Sequence, residues 1–235
     1  MKISVFSSLS LFINQHPLLD LVKAGLALFR TLNRLNWLKE DEMNQALEHL
    51  SHKLQAEKGL IKFEIISFIV DAITQGLGTK STSPVKWPAR IRSEIVEIFR
   101  NKLSDTHRRL VLVASSVLIS AFGPDWFFDI NDSSLSRDKF LQLFVHIVSA
   151  EIRVLLDDDT ILTKTVVSEI DGLEIPSLND VLVMCLDTLY SSVYYISTAS
   201  EDIDFDSVLS IRTALSEAMV AVFSFLEDQW VSSTL

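Results

Sequence analysis

Apolar residues recur at steps of three and four along most of this 235-residue chain, and the alternation that marks strands is nearly absent. That period gathers the apolar side chains of each helix on one face, so the chain must bury helical faces against one another. It predicts helices over 18–34, 41–57, 60–76, 88–102, 105–122, 136–156, 177–199 and 206–230, with weaker signals over 3–14 and 160–170. In 206–230, Val208, Ile211, Leu215, Ala218, Met219, Val222 and Leu226 are expected to line one face. In 177–199, Leu178, Val181, Leu182, Cys185, Leu189, Val193 and Ile196 do the same.

Helix breakers are scarce and well placed. The chain holds 6 Gly and 5 Pro, where average usage gives roughly 16 and 12. Pro17, Pro88 and Pro176 fall before or within first turns, where a missing N–H costs little. Gly59 and the pair Gly76 and Gly78 follow helices, as left-handed C-caps do. Ser104 is an expected N-cap with Asp105 in the first turn. Gly25 lies inside a helix at roughly 1 kcal/mol against Ala, which fits a close helix–helix approach. Between Phe122 and Phe128, Gly123-Pro124 precedes Trp126, Phe127 and Phe128. Three adjacent rings at a corner are read as core anchors, with Phe122 and one or two of the three buried and any other exposed.

Two polar stretches, 77–87 and 157–176, are expected to be linkers. The helices then group as antiparallel pairs over 18–57, 60–102, 105–156 and 177–230. This predicts an all-α armadillo/HEAT-like α-solenoid of about four helix pairs, one helical-repeat domain over 1–235. No repeated consensus accompanies the repeated length, so a globular helical bundle is the alternative. A chain of this size buries roughly 70–75% of the surface its unfolded form exposes and needs no metal or disulfide to do so.

Hydrophobic residues make up 48% of the chain, which raises the question of a membrane. The uncharged run from Leu110 to Pro124 is fifteen residues, short of the roughly 20 that span a bilayer, so no transmembrane segment is expected. The first fifteen residues contain one Lys and an apolar stretch, but serines dilute it and no small-residue cleavage site follows. They read as a partly exposed helix rather than a signal peptide. Cys185 stands alone, so no internal disulfide forms and nothing favours secretion. The expected location is the cytoplasm.

Charge is uneven. Residues 1–103 carry 14 Lys and Arg against 10 Asp and Glu, net +4; residues 104–235 carry 7 against 21, net −14. A nucleic-acid partner is not expected, because phosphate binding draws on a basic domain. Lys86, Arg90, Arg92, Arg100, Lys102, Arg108 and Arg109 form a basic strip interleaved with Glu94, Glu97 and Asp105. Such a strip either meets acidic segments of partners or headgroups, or pairs within the chain. Asp157, Asp158 and Asp159 oppose a helix macrodipole, so something should offset them, a basic partner or a cation in the functional reading. They are candidates for docking a basic partner, against the plainer reading of solvated and capping acids. Trp126 is the aromatic candidate for partner contact. The candidate partner-binding set is thus Arg90, Arg92, Arg108, Arg109, Trp126, Asp157 and Asp158.

Catalytic signatures are missing. His49 and His52 are three apart, where a helical zinc pair needs four with a Glu between, so they read as a solvated face. His146, in an apolar helix, reads as a hydrogen-bonded core residue. There is no Gly-x-Ser-x-Gly elbow, no Gly-rich phosphate loop and no dinucleotide fingerprint. Cys185 reads as an inert buried thiol. No catalytic, cofactor or metal residue is assigned, and the chain is expected not to be an enzyme.

Four segments carry a resemblance: "SSVLISAFGPDWFF", "DKFLQLFVHIVSAEIRVLLDD", "LNDVLVMCLDTLYSSVYYI" and "RTALSEAMVAVFSFLED". They resemble the C-terminal half of the neurochondrin family, where a helix ends in a Gly-Pro-aromatic corner and an apolar helix with a Val-Glu-(Leu/Ile/Val)-Arg-like segment follows. The likeness covers residues 104–230, with 1–103 similar in helical character alone. It implies an armadillo-like cytosolic scaffold without catalysis, with roles in neuronal signalling, neurite outgrowth and restraint of calcium/calmodulin-dependent kinase II phosphorylation. Kinases or receptor tails would be its partners. Family members are longer and attach to membranes through lipidated N-terminal cysteines, so the resemblance implies a shortened form here, with peripheral membrane association left open. A generic HEAT/armadillo-like adaptor in trafficking or assembly, or a divergent helical enzyme, are the competing readings.

Overall fold

The computed structural model describes residues 19–34, 39–75, 86–130, 135–157, 168–170, 173–199 and 203–233. These form α1 (Leu19–Arg34), α2 (Glu40–Ala56), α3 (Ile61–Thr74), α4 (Trp87–Phe99), α5 (Asp105–Phe122), α6 (Pro124–Phe128), α7 (Arg137–Leu156), β1 (Ser168–Ile170), β2 (Leu173–Ile175), α8 (Leu178–Thr198) and α9 (Phe205–Ser233). The fold is helical, and the eight long helices match the periodic segments to within three residues at each end. The expected signal over 3–14, the Gly76 and Gly78 caps and most of the 77–87 stretch lie outside the described residues.

The described end of 160–170 is a strand instead of a helix. Ser168–Ile170 pairs antiparallel with Leu173–Ile175, with Glu169 opposite Glu174. Three residues per strand are too few for a period, so alternation could not announce them.

The chain divides into two compact units, 1–98 and 99–235. In the first, α3 is the central helix: it packs against α1 and α2, and Ile61, Ile65, Ile66, Phe68, Ile69, Ala72 and Ile73 are all buried. The Phe68 ring meets Phe29 of α1 at 5.6 Å, and Gly25 is buried in that same helix. Cross-helix ion pairs latch the unit: Lys23 to Glu64 at 3.0 Å, Arg30 to Asp71 at 2.6 Å, Lys62 to Glu94, and Arg90 to Glu48. Trp87, fully buried at the start of α4, donates its indole N–H to Asn44 Oδ1 of α2 at 3.1 Å. α2 opens with Glu40, Asp41 and Glu42, acids that favour the positive end of the dipole, and Glu42 Oε2 accepts the Lys39 backbone N–H at 3.1 Å. Its end corrects one expectation: Glu57 closes the helix in extended backbone, and Gly59 is not left-handed.

In the second unit, α8 packs against α5, α6 and α7, and α9 packs along α7. Gly123 makes the corner between α5 and α6. Its φ of 89° and ψ of 156° lie where only glycine sits without strain. Its N–H closes α5 on Ile119 O at 2.8 Å, and its carbonyl accepts from Phe127 N at 3.2 Å to open α6. Pro124 occupies the first turn, where its ring presets the helical φ. The space around Gly123 is open, so Gly123→Ala is expected to cost about 1–3 kcal/mol through backbone strain alone. Urea unfolding of the two chains checks this, and an unchanged midpoint would refute it.

The corner delivers its aromatics unequally. Phe127 and Phe128 are fully buried and contact Phe140 and Phe144 of α7 at ring separations of 5.4–6.2 Å. Phe99 joins this cluster through Phe144, and Tyr195 of α8 meets Phe128 at 5.2 Å. Phe122 departs from expectation: it is half-buried, its ring tilted against that of the half-buried Trp126 at a centroid separation of 4.8 Å. The core anchors are therefore the second and third rings.

The long C-terminal helix also departs from its expected face. Ile211 and Ala218 are buried and Val208, Leu215 and Val222 half-buried, but Met219 and Leu226 are exposed. Val193 of α8 is exposed as well. By length and composition alone α8 and α9 would suffice to cross a membrane. No stretch of either escapes charge for long, since Asp180, Asp187, Asp206, Arg212, Glu217, Glu227 and Asp228 interrupt them.

Candidate functional site

The basic strip is largely absorbed by internal pairing. Ser104 caps α5, its Oγ accepting from His107 N at 3.4 Å, as expected. One turn on, Arg108 Nε and Arg109 Nε donate to the two oxygens of Glu151 on α7, at 2.5 and 2.7 Å. The Glu151 side chain is wholly buried, and Arg108 also reaches Asp105 at 3.0 Å. Burial alone would lower the Arg108 pKa, but the hydrogen bond and charge of Glu151, helped by Asp105, raise it above its ordinary value. This arrangement is a structural clamp between α5 and α7. Arg90, paired with Glu48, and the buried Arg92 lie in α4 of the first unit.

Asp157 is exposed at the C-cap of α7, with Arg153 in the last turn as the offsetting cation. Arg153 also meets Glu217 of α9 at 2.8 Å. Asp158 lies outside the described residues. His49 and His52 are exposed on α2. His146 is exposed too, contrary to a core role, with Nε2 2.9 Å from Ser210 Oγ of α9. Among the described residues no three His, Cys, Asp or Glu side chains gather as metal ligands would.

Cys185 is buried in α8, and burial, reinforced by the Glu151 charge, pushes its thiol up to about 12. The thiol thus stays protonated and unreactive in the folded chain. The consequence for stability is alkaline. The unfolded thiol ionises near its ordinary 9.0 while the folded one holds its proton to about 12. The unfolded state therefore binds fewer protons in that window, and stability falls as pH rises from 9 to 12. Cys185→Ala should flatten that slope relative to the parent chain in urea melts run between pH 8 and about 11; parallel curves would contradict the assignment.

The feature that sequence reasoning missed is a cleft of about 430 Å³ between α5 and α8. Val117, Ile119 and Pro124 form one wall, Met184 and Tyr190 the other, and Asp187 supplies a carboxylate beside Ser116, Ser120 and Ser191. Tyr190 is 74% exposed, so its ring stands at the rim as an amphipathic contact. The exposed Val183 and Tyr194 extend the apolar surface along α8. A helix-spaced rim of this kind suits an apolar peptide segment carrying a basic residue. The only legible signal was the run of α8 itself, apolar at more positions than one buried face can use.

A family model described as Neurochondrin matches residues 23–232, reaching well into the N-terminal half that the quoted segments left uncovered. Neither the curated proteins nor the solved structures contain a match. With a single family model spanning nearly the whole helical chain, this protein belongs to the neurochondrin family.

Proposed function

We propose that the chain is a non-catalytic helical scaffold that binds other proteins, with the α5–α8 cleft as its contact surface. The observation that carries this reading is the cleft's makeup: apolar walls, an exposed Tyr190 at the rim and one carboxylate at Asp187. Asp157 and the accessible edge of Trp126 are secondary contacts in the same reading. The alternation of neighbours, α1 against α3 in the first unit and α5 against α8 and α7 against α9 in the second, supports armadillo-like stacking of helices within each unit.

Membership of the family supports the finer roles: neuronal signalling, neurite outgrowth and restraint of calcium/calmodulin-dependent kinase II, exercised in the cytoplasm and with kinases or receptor tails as partners. The test is kinase II activated by calcium and calmodulin, assayed for autophosphorylation with increasing amounts of the chain. Phosphorylation should fall, and Tyr190→Ala with Asp187→Lys should weaken the effect about tenfold or more, since an aromatic anchor that a partner covers carries on the order of 2 kcal/mol. Undiminished phosphorylation would leave a generic adaptor as the better reading.

A further inference from the structure

We infer that α9 joins two copies of this chain, its outer face packing antiparallel on the same face of the second copy. α9 is apolar on both sides, yet only the side bearing Ile211, Ala214 and Ala218 is buried. On the other side Leu209, Met219, Val220, Phe223, Leu226 and Trp230 are each at least 43% exposed. With 3.6 residues per turn they fall, together with Arg212, Ser216 and Glu227, within an arc of about 120°. Six large side chains on one stripe supply most of the roughly 800 Å² that a specific interface takes from each partner. A helix apolar all round is ordinarily covered all round.

The spacing of the stripe identifies what covers it. A two-fold axis between Met219 and Val220 returns every stripe residue but Leu226 to another stripe position, as an isologous contact requires, and sets Leu226 against Thr213. Arg212 of one copy then faces Glu227 of the other, twice. Ser216 faces Phe223, small against large, and Leu209 faces Trp230. Arg212 and Glu227 are the charged residues inside the stripe, and among the described residues neither has an ion-pair partner in its own chain. A bilayer would have to desolvate both charges, and Glu217 and Asp228 at the margins would be repelled by an anionic surface. A second copy pairs the two charges at the register that buries the rings.

Sedimentation equilibrium on the 235-residue chain between about 1 and 100 μM, the range where a modest interface of this area associates, tests the inference. A monomer–dimer equilibrium is expected. Val220→Glu, at the axis, should weaken it by about a hundredfold or more, because two carboxylates would meet in a desolvated centre. Arg212→Glu and Glu227→Arg should each weaken it about tenfold, and the double exchange should return it to within about threefold of the parent. Circular dichroism confirms that the variants fold, which their exposed positions favour. A chain monomeric throughout, a dimer indifferent to Val220→Glu, or a double exchange that fails to restore association would each overturn the inference. So would a monomer that co-sediments with phosphatidylcholine/phosphatidylserine vesicles, which would assign the face to lipid.

Discussion

Replacing Glu151 with alanine is expected to lower the unfolding free energy by about 3–5 kcal/mol, the range for removing one partner of a buried ion pair. The carboxylate lies wholly buried between Arg108 and Arg109, whose side chains are themselves only 24% and 18% exposed. Without it two adjacent guanidinium groups keep their charge, lose their shared acceptor and repel each other in a poorly solvated place. Glu151→Gln should cost less, because the amide oxygen still accepts one hydrogen bond. Converting all three residues to Met should recover most of the loss, since the clamp as a whole repays little beyond its own desolvation. Urea unfolding of the four chains separates these cases. A loss below about 1 kcal/mol for Glu151→Ala would place the pair in the class of exposed salt bridges and refute the clamp.

Phe128→Ala should be comparably severe, about 3–5 kcal/mol, because removing a fully buried ring leaves a cavity that the surrounding helices fill only in part. Phe127 at 5.2 Å, Phe144 at 5.5 Å and Tyr195 at 5.2 Å all lose their shared neighbour. Those rings belong to α6, α7 and α8, so the cavity opens where three helices meet. Trp126→Ala is the control: its half-buried ring lies against Phe122 at 4.8 Å and its loss should cost about 1 kcal/mol. Equal losses at the two positions would contradict the division of the corner into anchors and a rim.

Much of this was readable from the residues because helix ends are set locally. Ser104 and Ser177 accept hydrogen bonds from backbone N–H groups within the first turn, at His107 and Asp180, and Gly123-Pro124 can only stop one helix and start another. Short elements escaped because α6 has five residues and each strand three, less than two periods of any pattern. The dipeptide Asp171-Gly172 between β1 and β2 was the available hairpin signal. Partnerships across long separations escaped for a different reason. Arg108 and Arg109 announce themselves as a basic pair, but their partner lies 43 and 42 residues away. Its one local sign is that Glu151 falls on the apolar stripe of α7, three after Val148 and four before Leu155, where a carboxylate needs a buried cation. The cleft was hidden because it belongs to two helices at once, and periodicity reports on one.

In the proposed function the scaffold works through the α5–α8 cleft. Hydrogen–deuterium exchange of the chain with and without activated kinase II tests this most directly. The prediction is slowed exchange confined to Ser116–Ser120 and Met184–Ser191, the segments that line the cleft, where a partner would suppress local opening. Complex formation with those segments unchanged, and protection elsewhere, would contradict it.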